Sequence, residues 1–427
     1  MIKGLKINKL YGRFNYDFIT KEDGVTIITG PNGFGKSTIL KIIAAASERN
    51  IIYFTEFEFE SIVFEFENGK KMTLNKSDDE LSIDNVSVNI DIFRSMVLKL
   101  VRPARRVRTG NVAIWDDNNW KYFSEDEFII NSLNEMDVAQ RRIMLSESSE
   151  TMSILDFIDK LILLSQLTGE IKMISDQRLI RMRNFETNTR DETNSYEVIL
   201  DLQNDLREII DDVSSRYSAK ASELDSNYPN RLLASTETID ERLYIENMQK
   251  ASEMFSELKK YNLAEISLIE GGIFKSNFAT ALKIYFDDFT EKYKVFEDLI
   301  RRLELFTSIL NARLKFKKVE ISRERGFLVK DTEYENRVLT LDKLSSGEKH
   351  EIILFFDLIF KTNKELLLLI DEPELSLHVT WQRQFLDDLL DVTKMNKTHV
   401  ILATHSPQII GNHRELQIDL GELYHES

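Results

Sequence analysis

The chain has 427 residues, 42% of them hydrophobic, with 56 basic residues against 72 acidic ones and a formal charge of −16. It is long enough for a large core with an inserted region. It holds no cysteine, which excludes disulfides and thiolate metal sites, and its six histidines are scattered rather than grouped as zinc ligands. No run of about eighteen or more apolar residues occurs, so no membrane span is expected and the protein reads as cytoplasmic, while the acidic balance opposes a general affinity for DNA.

From the N-terminus, residues 5–10, 16–19 and 25–28 are short strand candidates, and the opening Met1-Ile2-Lys3-Gly4 reads as strand rather than as a signal peptide. The third candidate runs into Gly30-Pro31-Asn32-Gly33-Phe34-Gly35-Lys36-Ser37-Thr38, a full match to G-x-x-x-x-G-K-[ST]. Gly33 and Gly35 let the backbone N–H groups of this loop, from Asn32 onward, turn inward around phosphates. Lys36 neutralises the β/γ oxygens, and the Ser37 hydroxyl is placed to ligate Mg²⁺. Thr38 opens an apolar, helix-prone stretch to Ala46, so the phosphates also meet a positive helix terminus. ATP with Mg²⁺ is the expected ligand.

Beyond the loop helix, residues 51–54 and 61–74 alternate and turn as antiparallel hairpins do, with Asn68-Gly69 the strongest turn signal. Residues 76–165 are the least legible, with a helical pattern around 154–164. Residues 171–177 look like a strand ending in Gln177. From Ile199 to Tyr217, and again from Phe278 to Leu310, apolar residues recur at three- and four-residue steps, which predicts two helices pairing as an antiparallel arm. Asn227-Tyr228-Pro229-Asn230 is expected to break the first, and Gly271-Gly272 precedes the second. Arginines cluster at 102, 105, 106 and 108 and at 178, 181 and 183; solvated loops or internal ion pairs explain them as well as nucleic acid does.

Near the C-terminus, Leu344-Ser345-Ser346-Gly347-Glu348 precedes the apolar stretch 352–360. Residues 366–370 form a continuous apolar run, as a strand buried on both faces requires, and end in Asp371-Glu372-Pro373. A carboxylate there, beside a phosphate loop, is a magnesium site. Asp371 would hold the ion through water, and Glu372 is placed to polarise the attacking water. A last apolar strand, 400–403, leads to Thr404-His405-Ser406.

These four motifs, in this order, resemble the ABC-type ATPases, in the branch that includes SMC, RecF and OLD-type proteins. The resemblance implies an α/β P-loop ATPase head with an antiparallel β lobe and an inserted helical arm. It implies domains at 1–185, 186–315 and 316–427, and a homo-oligomer, at least a head-to-head dimer. In such a dimer Ser345, Ser346, Gly347 and Glu348 of one subunit cap the ATP held by the other. By the same resemblance His405 is the switch histidine sensing the γ-phosphate, Gln177 reaches Mg²⁺ and the attacking water, Arg13 contacts adenine, and residues 374–378 cross the interface.

Residues 201–233 and 344–388 are further similar to ATPases of antiphage defence systems, first those of PARIS and then those of Septu. Sensor and scaffold activity controlling an effector nuclease is then expected, with a phage-derived protein as one candidate trigger. No Toprim-type acidic cluster follows His405, so the nuclease is expected on a separate protein. The alternative is an SMC/RecF-like DNA-repair ATPase that binds DNA ends.

Overall fold

The computed structural model describes residues 1–93, 95, 105–106, 111–116, 119–124, 149–174, 180–182, 195–197, 199–263, 272–334, 336–362, 366–375 and 377–424. In chain order the first elements are β1 (Ile2–Leu10), β2 (Phe14–Ile19), β3 (Val25–Thr29), α1 (Lys36–Ser47), β4 (Ser61–Phe66), β5 (Lys71–Ser77), β6 (Glu80–Ile83) and β7 (Val86–Asn89). There follow β8 (Arg105–Arg106), β9 (Asn111–Asp116), β10 (Asn119–Ser124), α2 (Ser149–Thr168), β11 (Ile171–Ile174), β12 (Ile180–Met182), β13 (Ser195–Glu197), α3 (Ile199–Ala234), α4 (Glu241–Lys260) and α5 (Ala279–Arg313). The last are β14 (Lys317–Ser322), β15 (Gly326–Asp331), β16 (Val338–Leu339), α6 (Ser346–Phe360), β17 (Leu367–Asp371), α7 (Val379–Asn396), β18 (His399–Ala403), α8 (Pro407–Ile410), β19 (Gln417–Asp419) and α9 (Leu420–Leu423).

The chain divides into two units, residues 1–176 with 363–427, and residues 177–362. In the first, β1 and β2 alternate buried and exposed residues, as strands with one wet face do, and join the antiparallel sheet β2-β1-β4-β5-β6-β7. By contrast β3 is buried along its whole length and β17 over its first four residues, and both lie inside the sheet β11-β17-β18-β3-β19, all of whose pairings are parallel. Ile39, Leu40 and Ile43 of α1 join Leu5 and Phe64 of the antiparallel sheet, Phe157 and Leu161 of α2, and Leu369 and Ile401 of the parallel sheet in one apolar core.

The second unit is the helical arm with a small sheet. α3 and α5, 36 and 35 residues, are each roughly 50 Å long at about 1.5 Å per residue. They run antiparallel, since Tyr217 packs at a tilt against Phe296, Asp225 pairs with Lys292 and Arg231 pairs with Asp288. β14, β15 and β16 form an antiparallel sheet beside them, and Phe306 of α5 packs on both Phe327 of β15 and Phe356 of α6.

Several expectations change. Residues 52–55 are a 3₁₀ turn rather than a strand, because Ile52 and Phe54 are buried there without an alternating partner strand. Pro229 does not break α3. The proline is exposed, and the turn around it is held by Arg231, which donates to the Leu224 carbonyl at 2.9 Å and to both Asp288 oxygens at 2.5 and 2.6 Å. The polar stretch between the two arm helices contains α4, capped by Asp240 and packed through Ala251 against Phe286 and Phe289. Residues 316–362 group with the arm rather than with the C-terminal lobe, since α6 and β14–β16 pack on α3 and α5. Gln177 lies outside the described residues, as do Arg102, Arg108, Arg178 and Arg183; Arg105, Arg106 and Arg181 are described only as strand backbone.

One ion pair fastens α6 to the arm. Arg313, at the end of α5, donates to Glu351 Oε1 at 2.5 Å, with side chains 2% and 0% exposed. Burial pushes Glu351 up to about 7 and Arg313 down, and each charge draws the other back towards its ionised form. Replacing either residue alone by alanine is expected to cost ~3–5 kcal/mol, because a lone charge is left in the core. Arg313→Met with Glu351→Leu is expected to cost less than the two single changes added together. Denaturant unfolding of the three variants checks this.

Candidate nucleotide site

The site begins with strand register. β3, β18 and β17 are neighbours, with Ile28 opposite Ala403 and Ala403 opposite Asp371, so the three strands end at one level. The phosphate loop leaves β3 there, Asp371 closes β17, and Thr404-His405 leaves β18. Backbone bonds hold the exits together: the Glu372 N–H donates to the Ala403 carbonyl at 2.9 Å and the Thr404 N–H to the Ile28 carbonyl at 3.1 Å. Crevices at the carboxyl ends of parallel strands are where α/β sheets bind ligands.

The loop itself is tightly seated. Gly33 and Gly35 have φ of 83° and 84°, and a Cβ on Gly35 would come within 2.8 Å of Leu10 Cδ2. Tyr16, whose hydroxyl is pushed to higher pKa by burial, donates to the Phe34 carbonyl at 2.7 Å and braces the loop from below. Helix α1 starts at Lys36 with Gly35 as N-cap and no side-chain cap, leaving its first N–H groups to an anion. Lys36 is 5% exposed and donates to the carbonyls of Gly30 and Pro31 at 3.1 and 3.3 Å. Burial lowers its pKa, opposed by Glu372, Asp371, Glu374 and Asp419.

The polar groups converge around that lysine. His405 Nδ1 lies 3.4 Å from Lys36 Nζ, and its Nε2 lies 3.6 Å from Glu372 Oε1. The imidazole thus stands between the lysine and the carboxylate, one ring nitrogen towards each. Glu372 sits at φ 45°, a left-handed conformation that side chains rarely adopt and that clusters at functional sites. The Ser37 hydroxyl donates to Asp371 Oδ1 at 3.0 Å. A hydroxyl and a carboxylate oxygen in contact are the hard donors Mg²⁺ takes. Among the described residues no group of three or more His, Cys, Asp or Glu could hold a metal alone, so phosphate oxygens and water would complete the shell.

A cavity of about 870 Å³ opens over these groups. Arg13, Asn32, Gly33, Gly35, Lys36, Ser37, Thr38, Glu372 and His405 all line it. Arg13 lies with its guanidinium 4.8 Å over the Phe14 ring, and Tyr11 bonds the Thr38 hydroxyl at 2.6 Å. Glu374 and Leu375, from the 374–378 segment that the resemblance assigned to the interface, also line the cavity. Ser345, Ser346, Gly347 and Glu348 belong to the second unit. There Ser345 caps α6 in a reciprocal capping box with Glu348, whose carboxylate is taken up by Lys317 at 2.7 Å and by the Ser345 N–H at 2.8 Å. Ser345 and Ser346 are exposed.

Residues 1–410 match the AAA ATPase domain family. The chain belongs to that family. Nucleotide binding comes with the ATPase domain, whose fold here is an α/β P-loop head with an antiparallel β lobe and an inserted helical arm. Among solved structures, the ATPase domain is similar to the crystal structure of the Smc head domain with an extended coiled coil bound to the C-terminal domain of ScpA from Pyrococcus furiosus. That likeness has 13% identity and a TM-score of 0.36, and covers 96% of this chain and 90% of that one. A second likeness is to the SmcHead bound to the C-winged helix domain of ScpA, at 12% identity and a TM-score of 0.38, covering 96% and 91%. Both overlaps are loose and say nothing about activity. No curated protein matches the chain. Among the described residues no helix is long and apolar enough to cross a membrane.

Gly35→Ala drives a Cβ into Leu10 at a left-handed φ, and is expected to abolish binding of a fluorescent ATP analogue while the chain stays folded. Gly69→Ala, at φ 77° with nothing within 4 Å of the added carbon, is the control. It is expected to cost about 1–2 kcal/mol of stability and leave binding unchanged.

Proposed function

We propose that the protein is a Mg²⁺-dependent ATPase that closes as a homodimer, or a larger homo-oligomer, on bound ATP. What carries this reading is the meeting of Lys36, Ser37, Asp371, Glu372 and His405 at the ends of three adjacent parallel strands. Lys36 and the α1 N-terminus hold the β and γ phosphates. Glu372, left-handed and facing His405, takes a proton from the attacking water, and His405 senses the γ-phosphate beside it. Ser37 and Asp371 would hold Mg²⁺, which when bound would supply neutralisation of the phosphate charge.

The exposed Ser345 and Ser346, with half-buried Gly347 at the start of α6, are the surface that caps the nucleotide of another copy, with helix N–H groups aimed at the γ-phosphate. Loss of that phosphate removes the differential affinity that favours the closed assembly. Following the resemblance to defence ATPases, the closed and open assemblies hold and release a separate effector nuclease in response to a phage-derived trigger. The arm, with helices of roughly 50 Å, suits a protein-binding platform better than a DNA tether.

Glu372→Gln is expected to lower ATP turnover by about 10²- to 10⁴-fold while keeping ATP binding, and to accumulate a nucleotide-bound dimer. Mass in solution with ATP and Mg²⁺ reads the assembly. A variant unchanged in both turnover and mass would remove Glu372 from its role as base.

A further inference from the structure

Two of the loops that line the cavity are tied together by a side chain standing behind it. Gln382, on the first turns of α7, is 8% exposed and uses both ends of its amide. Its Nε2 donates to the carbonyls of Glu374 at 3.3 Å and Leu377 at 3.2 Å, both in the turn that follows Asp371-Glu372. Its Oε1 accepts the Ser406 hydroxyl at 2.7 Å, one residue past His405. From the other side, Glu374 Oε1 accepts the backbone N–H of His405 at 2.6 Å. The backbone of His405 is thereby held to the Glu372 loop twice, once directly through Glu374 and once through Gln382.

Satisfying buried polar groups does not by itself require this arrangement. The Ser406 residue is only half-buried, so water could serve its hydroxyl equally well. Glu374 Oε2 is buried with no hydrogen-bond partner among the described residues, a costly way to place a carboxylate unless its other oxygen is needed where it stands. The strained φ of 45° at Glu372 likewise persists only where the surroundings over-determine it.

We propose that Gln382 is a positioning residue for ATP hydrolysis, registering the Glu372 loop against the His405 loop through its three hydrogen bonds. The separation of 3.6 Å between His405 Nε2 and Glu372 Oε1 is then set by an amide outside the cavity lining. A displacement of the Glu374 and Leu377 carbonyls is passed to His405 by the same bonds. The proposal rests on the reading of the site as an ATPase.

The test uses the full chain and four variants: Gln382→Met, which keeps length and loses all three bonds, Ser406→Ala, the two combined, and Ser406→Thr, which keeps the hydroxyl. Gln382→Met and Ser406→Ala are each expected to lower kcat by about 10- to 100-fold, the scale of a small misplacement remote from the chemistry. KM for ATP should stay within about threefold, since ground-state binding is untouched. The double variant should fall no further than the worse single one, because both remove the same link, and Ser406→Thr should recover most of the rate. Should Gln382→Met fail to fold, Ser406→Ala with its threonine rescue decides alone. Full kcat in Ser406→Ala, or losses in kcat that simply multiply in the double variant, would overturn the proposal while leaving the ATPase reading intact. A wild-type chain that binds ATP and never hydrolyses it would overturn both.

Discussion

The parallel register of β3, β18 and β17 is the constraint on which the rest of the first unit depends. Because Ile28, Ala403 and Asp371 stand level, the segment after β3 leaves the sheet at the same place as two segments more than 300 residues further along the chain. The phosphate loop, the carboxylate pair and the histidine need no long side chains to meet; the backbone delivers them. The residues that hold this register are apolar and nearly fully buried, Ile27, Ile28, Leu369, Ile370, Leu402 and Ala403 among them. A slip of one residue in such a strand would exchange its two buried faces and carry its end residue out of level with its neighbours, so the site geometry is as strongly specified as the core.

The second unit obeys a different logic. Its Ser345-Ser346 turn is exposed, and what fixes it is the anchoring of the helix behind it. Lys317 of β14 and Ser345 hold the Glu348 carboxylate, and Arg313 at the end of α5 holds Glu351 one turn further along α6. Both cations come from the root of the arm, so the orientation of the loop and the position of the arm helices are set by the same contacts. This gives the division at residue 362 a physical meaning, because α6 packs with the arm through charges and rings and not through strand pairing.

Legibility in the sequence followed how local each cause was. The phosphate loop could be read because glycine conformation, lysine charge and serine oxygen act within nine consecutive residues. Asp371 and His405 could be placed because continuous apolar runs mark strands buried on both faces; Asp371 closes one run, and His405 follows the other after Thr404. Helix α4 was missed because its outward face is polar and its partner surface, Phe286 and Phe289, lies on another helix. Pro229 misled because the arginine that holds its turn pairs with Asp288, 57 residues away. Gln382 carried no local mark at all; an amide becomes a clamp only when two loops are already in place.

In the proposed assembly the phosphate loop of one copy works with the 345–348 turn of another. The most direct measurement mixes two variants, Lys36→Ala, which cannot hold phosphate, and Gly347→Asp, which sets a carboxylate against the γ-phosphate of the facing copy. Each alone should be inactive, and mixing them should restore ATP hydrolysis through the one composite site that keeps both wild-type halves. Hydrolysis by Gly347→Asp alone at the wild-type rate, or a mixture that stays as inactive as its parts, would contradict it.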